Sequence, residues 1–315
     1  MSADRRTSRG GAYNLRRGSP PPMEFFAAAR PAAGTRGVRL RLEDIRIDFT
    51  GLDDRRAEEF LERYAPYSLE APEPEPGALR VEVGLEDREY FIEPPARPEQ
   101  NPVFLAVDGD RIRYLGYKVA GWFDASGGVG RFLLTRGEYE PDARSFENYV
   151  RAAVAWRAAT LGGALVHAAS AVRNGRAYLF YGESGAGKSS LAASTRRATI
   201  VSDDLSLVLP GERGGLVLVG GPFRGTYEGG DPVQGRFPLA AGFRLIQAAE
   251  PEVRSVSRVL AMSELVGNLP FVAPAFGRRG DLFDGIERAF ASTPLAHLHF
   301  RMDDSYWDAI DRAGL

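Results

Sequence analysis

The chain of 315 residues has no cysteine, only three histidines and only two lysines. The first absence removes disulfides, thiolate nucleophiles and cysteine zinc sites. The second leaves His167, His297 and His299 as the only imidazoles, too few for histidine-rich metal chemistry. No apolar run approaches the roughly 20 residues that a helix needs to cross a bilayer. The charged N-terminus is not followed by the apolar stretch of a secretory signal. A basic footprint extending over a whole domain is absent too. These absences lead to the expectation of a cytoplasmic protein with neither a membrane nor a nucleic-acid partner.

What is present suits one large or two ordinary domains: 44% hydrophobic residues can fill a real core, beside 26% charged. The net charge of −2 hides an asymmetry, because residues 1–36 carry seven arginines against Asp4 and Glu24, or +5, which leaves −7 for the rest. Arg5, Arg6, Arg9, Arg16 and Arg17 precede a Ser19-Pro20-Pro21-Pro22 run with few apolar neighbours. A segment of that kind cannot bury enough surface to fold alone, so 1–36 is expected to be a disordered basic arm.

Beyond it, Val38, Leu40, Leu42, Ile45, Ile47 and Phe49 keep a two-residue beat with one slip, which predicts a strand or bent hairpin. Ala57, Phe60, Leu61 and Tyr64 recur at helical spacing behind Asp53, a capping residue. The proline-rich stretches 70–76 and 93–102 read as exposed connections. Short strands are expected at 79–83, 90–92, 103–107 and 112–115, the last pair a hairpin turning at Gly109. A helix is expected over 146–161, ending at Gly162-Gly163. The strand 164–172, the turn Asn174-Gly175 and the strand 177–181 follow it.

Gly182-Glu183-Ser184-Gly185-Ala186-Gly187-Lys188-Ser189 fits the phosphate-loop pattern G-x-x-x-x-G-K-[ST] at every fixed position, with Ser190 next. The loop follows an apolar strand and opens a helix, the order that turns backbone N–H groups toward a phosphate. Lys188 is expected to neutralise phosphate charge and Ser189 to offer its hydroxyl to Mg²⁺. In a chain whose other basic residues, Lys118 apart, are all arginine, a lysine here signals that a compact ammonium is needed.

Asp203 and Asp204 follow early, Asp203 standing only 15 residues after Lys188. A helix of nine or ten residues carries the chain about 14 Å away, and a strand of about five returns it roughly 16 Å. Both carboxylates should therefore end beside the phosphate loop. Neighbours on an extended chain point opposite ways, so one can hold metal while the other faces an acceptor. His167 lies 15 residues before Gly182, and the hairpin at Asn174-Gly175 can bring it to the same end. An ordinary core histidine has the same spacing.

These residues resemble the kinase domain of HPr kinase/phosphorylase and its relatives, which share a core with ATP-dependent phosphoenolpyruvate carboxykinase. The match runs from the histidine through G-E-S-G-A-G-K-S to V-S-D-D, firmly over residues 161–209. It implies an α/β phosphate-loop kinase domain of the HPr kinase / phosphoenolpyruvate carboxykinase type over 161–315, preceded by a small β-rich α+β domain over 37–160. It further implies ATP and Mg²⁺, with Asp203 taking the serine hydroxyl proton, His167 supporting it, and Ser189 and Asp204 holding the metal. Ser190 stands where the bifunctional family has a glutamate, and its later signature linked to phosphorolysis is absent. The N-terminal half resembles instead the shorter HPr-kinase-related proteins found with peptide-modification gene sets. The expectation is a dedicated ATP-dependent serine kinase with negligible phosphorolysis, whose acceptor is a protein or peptide. A homo-oligomer is compatible with the sequence. A nucleotide-sensing partner-binding module and a kinase of a small hydroxylated molecule are the alternatives.

The glycine-rich stretch 220–235 is expected to be a mobile substrate loop. Arg224, Arg236, Arg244, Arg278 and Arg279 are candidates to clamp the transferred phosphoryl.

Overall fold

Phe25 and Phe26 decide where the fold begins. In the computed structural model, which describes residues 18–71, 73, 75–94, 103–212, 214–227 and 229–315, they lie buried on a short helix, α1 (Met23–Ala27). They pack with Phe91, Ile92, Leu115, Tyr117, Ala120 and Leu133. The expected disordered arm is therefore corrected over residues 18–36, since two adjacent aromatics supply the apolar area that the arginine count hides. Residues 1–17 of that arm lie outside the described residues, as does most of the connection 93–102.

The two-residue beat folds as a hairpin, β1 (Arg36–Leu42) and β2 (Ile45–Leu52), and the slip is its turn, with Glu43 at φ 54°. α2 (Asp54–Tyr64) starts where Asp53 accepts the backbone N–H of Arg56 at 2.8 Å. The strands β3 (Ser68–Glu70), β4 (Leu79–Leu85), β5 (Phe104–Asp108), β6 (Arg111–Leu115), β7 (Val119–Asp124) and β8 (Val129–Leu134) complete an eight-stranded sheet ordered β3-β1-β2-β4-β8-β7-β6-β5. β2, β4 and β8 run parallel, and β8 to β5 form an antiparallel meander. Residues 90–92 form no strand. Phe91 donates its N–H to the Tyr117 carbonyl from a bend instead, at 2.7 Å.

Contacts along the chain separate two units. One holds Ile47–Phe60 and Glu70–Tyr149 with the chain up to Arg39, and the other holds Val150–Leu315 with Leu40–Arg46 and Leu61–Leu69. The division falls inside α3 (Asp142–Thr160), at whose start Asp142 accepts Lys118 at 2.6 Å and Arg55 and Arg56 at 2.9 and 3.0 Å. Burial works against the charge of Asp142, but the Lys118 bond and the two guanidinium groups outweigh it and hold the carboxyl below its ordinary value.

Tyr149 anchors the first unit's core. Its ring lies 5.1 Å from Phe132 and 5.6 Å from both Tyr114 and Phe123, and its hydroxyl donates to the Trp122 carbonyl at 2.8 Å. Gly121 leaves the ring its room, since a Cβ there would fall 2.9 Å from Tyr149 Cε2. Tyr149→Ala is expected to lower the unfolding free energy by about 3–5 kcal/mol, the usual range for emptying a buried aromatic site. Tyr149→Phe keeps the ring and should lose only about 1 kcal/mol. Urea denaturation of the three proteins checks both figures; equal losses would show that the hydroxyl, not the ring, carries the effect.

The second unit opens with β9 (Ala164–Arg173) and β10 (Arg176–Tyr181), joined through Asn174 and Gly175, both left-handed at φ 53° and 74°. After α4 (Lys188–Ser194) come β11 (Thr199–Ser202), β12 (Leu205–Pro210), β13 (Leu216–Val219), β14 (Arg236–Gln247) and β15 (Glu252–Ser255). Then follow α5 (Arg258–Val266), α6 (Gly280–Phe290), β16 (Leu295–Phe300) and α7 (Tyr306–Arg312). Pairing runs β10-β9-β12-β13-β14 and returns from β14 to β10, closing a five-stranded barrel. β16 and then β15 extend the sheet from β14, and β11 pairs with β9. The protein is thus mixed α/β with large sheets and one small barrel. β10, β14 and β16 run parallel, so Tyr181, Gln247 and Phe300 end at the same edge. No helix among the described residues is long and apolar enough to cross a membrane.

Candidate active site

The glycine loop leaves β10 at that shared edge. Gly187 takes φ 103°, a left-handed conformation that glycine tolerates, and a Cβ on it would stand 2.8 Å from the buried Phe300 ring. Lys188 is the first residue of α4 and is nearly buried; its ammonium donates to the carbonyls of Gly182 at 2.8 Å and Glu183 at 3.2 Å. Burial lowers its pKa from the usual ammonium value, and the charge of Asp204 partly offsets this.

Asp203 and Asp204 sit on the bend between β11 and β12, back beside the loop. Their surroundings differ. Asp203 is 2% exposed and accepts three backbone N–H groups: Gly225 on Oδ1 at 2.7 Å, then Thr226 and Tyr227 on Oδ2 at 3.0 and 3.1 Å. Asp204 is partly exposed and meets charged or ionisable side chains, with Arg151 Nη2 at 2.9 Å from Oδ2 and His167 Nε2 at 3.5 Å from Oδ1. The β9–β12 register accounts for the histidine, because His167 stands opposite Leu205, the residue after Asp204. Burial, with Lys188 and Arg151, pushes the imidazole pKa below its ordinary value against the pull of Asp204.

All these groups line one cleft of about 420 Å³: His167, Lys188, Asp203 and Asp204 with Ser184, Gly185, Gly187, Ser189, Ser190, Gly225, Thr226, Gln247 and Met302. Glu183 projects outward and is met by Arg244 at 3.3 Å. The structure therefore brings the loop, its lysine and both aspartates together. His167 faces Asp204, whereas the resemblance implies support of Asp203. Among the described residues no group of three or more His, Asp or Glu can hold a metal by itself.

The arginines singled out from sequence do not line this cleft. Arg224 donates to the carbonyls of Gly230 and Asp231 at 2.8 and 2.7 Å, Arg236 to that of Pro210, and Arg244 to Glu264 as well as Glu183. Arg279 pairs with Asp281. In the first limb of the 220–235 stretch, the chain from Phe223 to Tyr227 is bonded to Ser202 and Asp203. Arg151 is the arginine that sequence reasoning missed. His297 and His299 stay on β16 away from the cleft, His297 bonded to Glu264 at 2.8 Å.

No family model matches the sequence, and no curated protein sequence is significantly similar to it.

Proposed function

We propose that the chain is an ATP-dependent serine kinase acting on a protein or peptide, with a catalytic unit of the HPr kinase / phosphoenolpyruvate carboxykinase type. One observation carries this reading: Ser184, Gly185, Gly187, Lys188 and Ser189 of the phosphate-loop pattern and two carboxylates of different exposure line the same cleft. A phosphate-binding module without chemistry has no use for an exposed carboxylate there.

The phosphates lie against the loop, and Lys188 leaves its two carbonyl partners to meet them. The residues fit Mg²⁺ carried in with the nucleotide, since Ser189 offers the oxygen donor such sites use and no self-sufficient metal cluster is needed. Ser189 would hold the ion together with the phosphate oxygens, and its chemistry is to neutralise phosphate charge. The acceptor hydroxyl gives its proton to Asp204 as its oxygen bonds to the γ-phosphorus. The bond from that phosphorus to the bridging oxygen breaks, and its electron pair leaves with ADP. Assigning the proton to Asp204 departs from what the resemblance implies, because the Asp203 oxygens are already filled by N–H donors while Asp204 is open to the cleft. His167 lies against Asp204 on one side and Arg151 on the other.

The test is to incubate the purified protein with Mg²⁺, γ-labelled ATP and a cell lysate. Label is expected on serine of a protein or peptide, and not with Lys188→Ala. Bound ATP without transferred label would leave a nucleotide-sensing module, and label on a small molecule would change the acceptor class.

A further inference from the structure

We propose that Asp203 is a positioning residue that fastens the first limb of the long loop to the cleft, making residues 225–227 the wall that an acceptor peptide meets beside Asp204. The acceptor in this statement rests on the kinase reading above; the fastening rests on hydrogen bonds alone.

An ionised carboxylate offers about four acceptor positions. Three on Asp203 are taken by the N–H groups of Gly225, Thr226 and Tyr227, and the Thr226 hydroxyl reaches Oδ2 at 3.4 Å. Bonds of this kind to a charged group are the stronger class. A side chain so engaged is poorly placed to turn toward an incoming hydroxyl. It is well placed to set the path of three consecutive peptide groups.

The neighbouring bonds continue the seam. Ser202 Oγ donates to the Phe223 carbonyl at 2.7 Å, the Leu205 N–H reaches the same oxygen at 3.3 Å, and Arg224 Nε reaches the Val201 carbonyl at 3.4 Å. Phe223 itself is 1% exposed. Gly225 supplies an independent sign of close approach. A Cβ there would lie 3.1 Å from both Asp203 Oδ2 and Asp204 Cβ, so a larger residue requires the carboxylate or the chain to give by a few tenths of an ångström. Gly225 and Thr226 also line the cleft that holds Asp204 and Lys188, so the fastened segment is a surface of the site itself.

Asp203→Asn removes the charge, and Gly225→Val crowds the same contact from the loop side while leaving both carboxylates in the sequence. Hydrogen exchange on the full-length protein should show the amides of residues 225–227 losing about tenfold in protection in either variant, with little change in Asp204→Asn. Using the protein labelled in the lysate experiment, acceptor KM should rise about tenfold in both variants, while calorimetry finds Mg-ATP affinity within about threefold of wild type. The double variant should lose little more than either single one, since both break one contact. Unchanged protection in both variants would overturn the proposal. So would an Asp203→Asn protein that loses kcat at unaltered acceptor KM, the signature of a lost base. A wild-type chain that binds no Mg-ATP would sink the kinase reading instead, and the exchange comparison, which needs no nucleotide, would still decide what Asp203 does.

Discussion

Lys188→Ala is expected to weaken Mg-ATP binding by at least about 100-fold, close to 3 kcal/mol, and to abolish phosphoryl transfer. The ammonium is the one lysine charge on the cleft wall, and it already holds two loop carbonyls. In the variant those carbonyls face the incoming phosphates with no cation between them, so the loop turns from attractive to repulsive at the point of contact. The fold should survive, because the cleft is open to solvent and water can meet both oxygens. Calorimetric titration with Mg-ATP, beside a thermal melt of each protein, separates the two effects. Equal affinity in the variant would remove the phosphate-loop reading.

Asp204→Asn is expected to lower turnover by roughly 10²–10⁴ while leaving Mg-ATP affinity and the Mg²⁺ concentration for half-maximal rate unchanged. The amide keeps the size of the side chain and loses its ability to take a proton. It also places an NH₂ group where Arg151 or His167 now approaches an oxygen, so some of the loss will come from geometry. Arg151→Lys helps to apportion it: a partial fall there indicates misplacement of Asp204, which Asn would share. A higher Mg²⁺ demand with preserved maximal rate would return Asp204 to the metal and the proton to another group.

Much of this site is readable from sequence because its parts are joined by short, regular pieces. The seven-residue α4 and four-residue β11 leave little freedom over where Asp203 and Asp204 can arrive once Lys188 is fixed. The hairpin at Asn174-Gly175 does the same for His167. What escaped reading depends on partners distant in sequence or on groups without a side-chain signature. Arg151 belongs to a helix whose pattern announces only packing, and its meeting with Asp204 spans 53 residues. The donors on Asp203 are peptide N–H groups, which every residue except proline carries, so no motif marks them. The alternation that located β1 and β2 works because one sheet face is buried. Tyr90, Phe91 and Ile92 show that apolar residues also line bends, where the N–H groups of Phe91 and Ile92 sharing the one Tyr117 carbonyl replace a ladder.

The parallel pairing of β10 with β14 has a consequence for how the site comes into being. β10 is made before the loop, but the strand that closes the barrel beside it, Arg236–Gln247, begins 55 residues after β10 ends, and Phe300, which abuts Gly187, comes later still. A ribosome therefore releases every residue of the glycine-loop motif well before the walls that shape it. Contacts so far apart in sequence form slowly and late in folding. A nascent or truncated chain ending before Arg236 carries the whole motif but not the closed barrel, so nucleotide affinity should arise with closure of the barrel and not with synthesis of the loop.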